Sequence, residues 1–300
     1  MLSVVVGGDE GGAAGGSGSG GSSSCGFPAI YNFGDNNSDT GQHRAMFADL
    51  DLPNGQTFFG KSSGRLCDGR LVIDFIAEHL GLPFLSAYLD SYQTNFRHGA
   101  NFALGGSSTR PDKSWSHFNL VRQFLHSLYA AKFFLIHNIG PVGCLPYSVR
   151  SYQKKSPGCT LDQNGCVKEQ NKVVQEYNRE LKERVSKLRT TYLNATFTYV
   201  DVYSAKYNLI SNAKNLLGLN DPMKFCCGSS DDWYVPCGRK NSDGTVTGST
   251  ACKDPAKYIF WDGVHYTEAA NQFVAKLIIN GSLSDPPLPL ADACSKGIYS

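Results

Sequence analysis

Phe133-Phe134-Leu135-Ile136 is an unbroken apolar run that ends at His137-Asn138. Such a run suits a strand buried on both faces, the environment of a parallel sheet. Three more short segments read as strands: Ala29–Phe33, Asn101–Leu104 and Thr196–Val200. Stretches with helical spacing lie between them. Leu71, Val72, Phe75, Ile76, His79 and Leu80 mark a helix over 68–81, with Asp68 as candidate N-cap and Gly81 as its stop. Val121, Phe124, Leu125, Leu128 and Tyr129 mark a second. Val173, Val174, Tyr177, Leu181, Val185 and Leu188 are expected on one side of a long helix from about 167 to 190. A last helix, about 267–279, is expected to turn Ala270, Phe273, Val274, Leu277 and Ile278 toward the core. Strands alternating with helices predict one parallel α/β sheet covered on both faces.

Composition excludes some functions. The 28 basic and 26 acidic side chains leave a net charge of +2, with no electrostatic drive toward nucleic acid. No run of 18 apolar residues is present, so no transmembrane segment is expected. Residues 1–24 hold nine Gly and six Ser and read as a disordered segment, with a single domain over 25–300. Met1–Val6 is too short an apolar run for a secretory signal. The ten cysteines argue the other way. They include no CxxC pair, so no metal site is expected, and disulfides in an oxidising compartment are the better reading. Cys159 and Cys166 bracket a short polar loop and are expected to pair; the 226–252 cluster is expected to hold one more bridge. Sequons at Asn194 and Asn280 agree with secretion and glycosylation.

The sharpest chemical signal is Trp261-Asp262-Gly263-Val264-His265. Asp and His three apart can meet in one turn, where the carboxylate holds one imidazole nitrogen and aims the other at a nucleophile. The same spacing also fits a capped helix start. A nucleophile and oxyanion donors must come from elsewhere, and two turns could carry them: Gly34–Gly41 after the first strand, and Gly105-Gly106 after the second.

Phe33-Gly34-Asp35-Asn36-Asn37-Ser38-Asp39-Thr40-Gly41 resembles the first sequence block of the plant GDSL esterase/lipases, a branch of the SGNH hydrolases. Further blocks of that family are resembled in order by Gly99–Gly106, His137–Pro146, Lys224–Gly228 and Trp261–His265. The resemblance implies a flavodoxin-like three-layer α/β/α sandwich that hydrolyses a small-molecule ester or lipid, without a cofactor, and is usually secreted. It implies His265 as general base, Asp262 as its orienting acid, and the backbone N–H groups of Gly106 and residue 36 as oxyanion donors.

Two departures stand out. The family's nucleophile is the serine of Gly-Asp-Ser, and here that position is Asn36, whose carboxamide has no proton a histidine can remove to make a nucleophile. Ser38 lies two residues on, off the apex of the turn. The family's Gly-x-Asn-Asp block, with its central strand, is also missing. Only 26 residues separate Gly106 from Phe133, too few for helix, strand and helix. Three readings follow: an ester hydrolase with impaired or no activity, a catalytically dead relative that binds an ester, lipid or acylated carbohydrate, and the non-functional product of an altered gene.

Overall fold

The computed structural model describes residues 25–47, 50–90, 94–107, 131–155, 158, 160–219, 221–228, 237–248 and 250–293. The expected Gly/Ser-rich segment 1–24 and the helix marked by Val121–Tyr129 lie outside them.

Strands β1 (Ile30–Asn32) and β2 (Gly99–Asn101) pair in parallel, with Asn32 opposite Asn101. The apolar run forms β3 (Phe133–His137), which pairs in parallel with β4 (Thr196–Val200) over five residues. A short hairpin joins β5 (Arg239–Lys240) to β6 (Val246–Thr247), and β7 (Ser284–Asp285) adds antiparallel to β4. The two parallel ladders agree with the expected α/β class. Among the described residues, no ladder joins β1 to β3, and the strands fall into separate sheets of two, three and two. The interval after Gly106, residues 108–130, lies outside the described residues. The α/β character holds.

Helices α1 (Gln42–Met46), α2 (Val72–His79), α3 (Pro146–Lys155), α4 (Lys168–Thr191), α5 (Val202–Ser211), α6 (Ala213–Leu217) and α7 (Glu268–Ile279) surround these strands. One apolar cluster gathers Ile30 of β1, Leu135 of β3, Val200 of β4, Ile76 of α2 and Ile278 of α7. The split sheet thus still shares a core. Non-directional apolar burial survives where the hydrogen-bond ladder is broken.

Two local expectations change. Asp68 does not cap α2. Its carboxylate accepts the backbone N–H of Glu268 at 2.8 Å and the Thr57 hydroxyl at 2.9 Å, which ties the loop before α2 to the start of α7. Asp74, in the first turn of α2, reaches back to the Leu71 N–H instead. Cys166 pairs with Cys144, which overturns the Cys159–Cys166 bridge; Cys159 lies outside the described residues. The partner is distant in sequence because the Gly143 carbonyl accepts from Val167 N, which lays the 142–144 turn beside the start of α4. The 226–252 cluster holds two bridges, Cys226–Cys252 and Cys227–Cys237, rather than one. Cys25 is also disulfide-bonded, whereas Cys67 is a buried free thiol.

Candidate active site

The site lies at the carboxyl ends of β1 and β2, where open α/β sheets place ligands. Asn32 donates to the Asn101 side-chain oxygen at 2.8 Å. Asn101 in turn donates to the Ser38 carbonyl at 2.6 Å and to the Thr40 hydroxyl at 2.9 Å. Both asparagines are fully buried. A buried amide pair of this kind pins the turn after β1 to the ends of both strands.

Asp39 does the same from the other side. Its carboxylate accepts four backbone N–H groups: Gly41 at 2.8 Å, Gln42 at 2.6 Å, His43 at 2.9 Å and Gly105 at 2.9 Å. Three of these start α1 and the fourth fastens the glycine turn after β2. Burial pushes the Asp39 carboxyl above its usual range, and the N–H donors oppose that shift. Gly106 follows at φ +87°, exposed and with open space around its α-carbon. A side chain there would be strained, which explains the glycine.

His265 lies across from this turn. Its Nδ1 sits 2.8 and 2.9 Å from the two oxygens of Asp262, and both residues are 1% exposed. Asp262 also accepts the Val264 and His265 backbone N–H groups at 2.8 Å, so the carboxylate is fixed before it meets the ring. With Nδ1–H donated to a carboxylate, Nε2 is the lone-pair nitrogen. It accepts from the Asn36 side-chain amide at 2.6 Å. The turn holding the dyad is itself braced. Trp261 is fully buried and donates its indole N–H to Asn54, and Tyr147 donates its backbone N–H to the Gly263 carbonyl.

The structure therefore brings Asn36, His265 and Asp262 into one hydrogen-bonded line. Ser38 is placed elsewhere: it is fully buried, its carbonyl accepts from Asn101, and its hydroxyl has no partner among the described residues. The block His137–Pro146 serves the frame. Asn138 bridges the Tyr199 hydroxyl, Asp201 and the Tyr203 N–H. Buried His137 is pushed down to about 3 by desolvation. Among the described residues no group of His, Cys, Asp and Glu could hold a metal ion, and no helix is long and apolar enough to cross a membrane.

Sequence reasoning did not find Asp39 or the Asn32–Asn101 pair. Asp39 had a readable signal, an Asp two to four residues before the first N–H groups of a helix. The asparagine pair had none, since its partners are 69 residues apart. His43 was also missed. Burial lowers its pKa, Asp39 opposes the shift, and neighbouring His265 adds to it.

The chain is similar along most of its length to plant esterases. It is 41% identical to a GDSL esterase/lipase of Arabidopsis thaliana, over 91% of this chain and 92% of that protein. It is 40% identical to the GDSL esterase/lipase ACHE of Zea mays, over 90% of this chain and 89% of the relative. It is 37% identical to an esterase of Hevea brasiliensis, over 91% and 90%. The Arabidopsis alignment runs over 346 positions, and 91% of 300 residues fills only about 273 of them, which leaves about 73 with no residue of this chain. The profile of the GDSL-like lipase/acylhydrolases matches in two overlapping pieces, residues 30–129 and 116–278. The break falls inside the interval after Gly106. The chain belongs to the GDSL-like lipase/acylhydrolase family and is by that resemblance a GDSL-type ester hydrolase.

Proposed function

We propose that this chain is a GDSL relative in which Asn36 occupies the nucleophile position, so that it binds a small-molecule ester or lipid but hydrolyses it poorly or not at all. The observation that carries this is the 2.6 Å contact between the Asn36 amide nitrogen and His265 Nε2. A serine hydroxyl at that place would give its proton to His265 and attack the ester carbonyl. The Asn36 amide only donates a hydrogen bond to the base and leaves it without a nucleophile to activate. Asp262 holds the imidazole, and the N–H groups of Gly106 and residue 36 face a developing oxyanion. Removing a serine nucleophile costs about a million-fold in turnover, and roughly 10³–10⁴ over water survives from the other groups. Hydrolysis of a short p-nitrophenyl ester is therefore expected near background. Turnover that is appreciable and survives His265→Ala would contradict the assignment of His265.

The disulfides and the exposed sequons Asn194 and Asn280 support passage through the secretory route, with glycans on both asparagines. Residues 25–300 act as one domain in this reading, because Ile30 and Leu290 share a core cluster. A second reading, a non-functional product of an altered gene, is favoured by the two-piece profile match and by the unjoined β1 and β3. The yield of soluble secreted protein separates the two, since a binding protein must reach its compartment folded.

A further inference from the structure

Between α4 and β4 the chain turns tightly through Tyr192-Leu193-Asn194-Ala195. The turn is closed by Ala195 N–H donating to the Tyr192 carbonyl at 3.1 Å. Two large apolar side chains stand in solvent here, Tyr192 at 56% exposed and Leu193 at 84%, the highest value for a large apolar side chain among the described residues. Neither belongs to the candidate active site. The Tyr192 ring lies tilted at 50° to that of Phe197, with centroids 6.3 Å apart, so this largely exposed ring has one aromatic neighbour on the protein side. Asn194 is exposed and begins the sequon that ends at Thr196, the first residue of β4. Closure of the turn keeps its first and third residues within reach of each other. A pyranose presents a face of C–H bonds, which complements the electron-rich face of an aromatic ring.

We propose that Asn194 carries an N-linked glycan whose first N-acetylglucosamine lies against the Tyr192 ring and covers this exposed apolar turn. The inference rests on the secretory reading given above. The glycan is attached through Nδ2 of Asn194 with loss of the lipid-linked pyrophosphate carrier. Tyr192 then acts on the folded chain by holding the first sugar in place, so that sugar and ring stiffen the α4–β4 connection together.

The test uses the full chain behind a supplied secretory leader in a eukaryotic host, with occupancy read by glycopeptide mass spectrometry. Occupancy is expected at Asn194. Trimming the glycan to a single N-acetylglucosamine leaves the thermal midpoint unchanged, whereas Asn194→Gln lowers it by about 2 °C or more. In a Tyr192→Ser background, Asn194→Gln no longer shifts the midpoint. If Asn194→Gln fails to fold, complete enzymatic deglycosylation of the folded protein makes the same comparison. Equal losses with and without Tyr192 would overturn the stacking role. An empty Asn194 beside an occupied Asn280 would overturn the site while the secretory reading stands, and both empty would overturn that reading as well.

Discussion

The proposed function turns on Asn36, whose amide nitrogen lies 2.6 Å from His265 Nε2. Asn36 meets Nε2 of a ring whose Nδ1 is held by Asp262, so in the proposed reading the dyad persists without a nucleophile to activate. The same change writes a third sequon, Asn36-Asn37-Ser38, into the turn. In the folded chain the atom a glycan would use, Nδ2, already donates to His265, and Ser38 is fully buried. Glycopeptide mapping of secreted protein is therefore expected to find Asn36 bare. High occupancy there would rule out ligand binding at this site and favour the non-functional reading. Lys206 on α5 is a second residue with a measurable consequence. It is 6% exposed, and its ammonium lies 3.9 Å from the centroid of the Tyr266 ring, next to His265 in sequence. Burial pushes Lys206 down to about 8, with Asp35 opposing. The unfolded chain then binds the extra proton between about pH 8 and the ordinary lysine value of 10.5, so stability rises with pH through that window. Below pH 8 both states hold the proton and the contribution is flat. Urea unfolding should show the wild type gaining on Lys206→Met from pH 8 to 10. No change in their difference over that range would contradict the burial account.

At the scale of elements, the site depends on turns held by a few acceptors. Asp39 joins the first turn of α1 to the glycine turn after β2. Asp39→Asn replaces one carboxylate oxygen by an NH₂ group that faces N–H donors. The buried donors then lose their acceptor, for an expected loss of about 2–3 kcal/mol in urea unfolding. A loss below ~0.5 kcal/mol, within the range of a surface change, would mean the turn does not need the carboxylate. Much of this layer was legible beforehand. Apolar periodicity located β3, β4, α4 and α7 to within two residues, because long helices and continuous buried runs carry their own signal. The Asp262–His265 pair was legible because its partners are three residues apart. What was not legible joins distant positions: Asn32 with Asn101, Asp68 with Glu268, and Cys144 with Cys166. The Cys159–Cys166 expectation failed for that reason. Sequence proximity was used for the pairing, whereas the partner of Cys166 is chosen by how the 142–144 turn packs on α4. Non-reducing peptide mapping should recover Cys144 linked to Cys166.

Across the whole molecule, the described strands fall into separate ladders that share one apolar core. Two three-residue strands make up the β1–β2 sheet, and the five-residue β3–β4 ladder anchors the three-stranded one. Short ladders open more readily than long buried ones. Native-state hydrogen exchange should therefore release the β1–β2 amides well before those of β3 and β4. Equal protection would mean that the two sheets open as one cooperative unit. This arrangement places Asn36 on the less anchored half and brings it to His265 through the turn that Asp39 and Asn101 hold. The central claim is that position 36 is where a nucleophile would stand, facing a competent His265–Asp262 base, and that the native asparagine leaves it empty of nucleophile. It is tested most directly by labelling with a serine-reactive fluorophosphonate, followed by peptide mapping of wild type, Asn36→Ser and Asn36→Ser/His265→Ala. The account predicts no adduct on the wild type, an adduct at position 36 in the single variant, and its loss in the double variant. An adduct on the wild type at Ser38, or a folded Asn36→Ser variant that stays unlabelled, would contradict it.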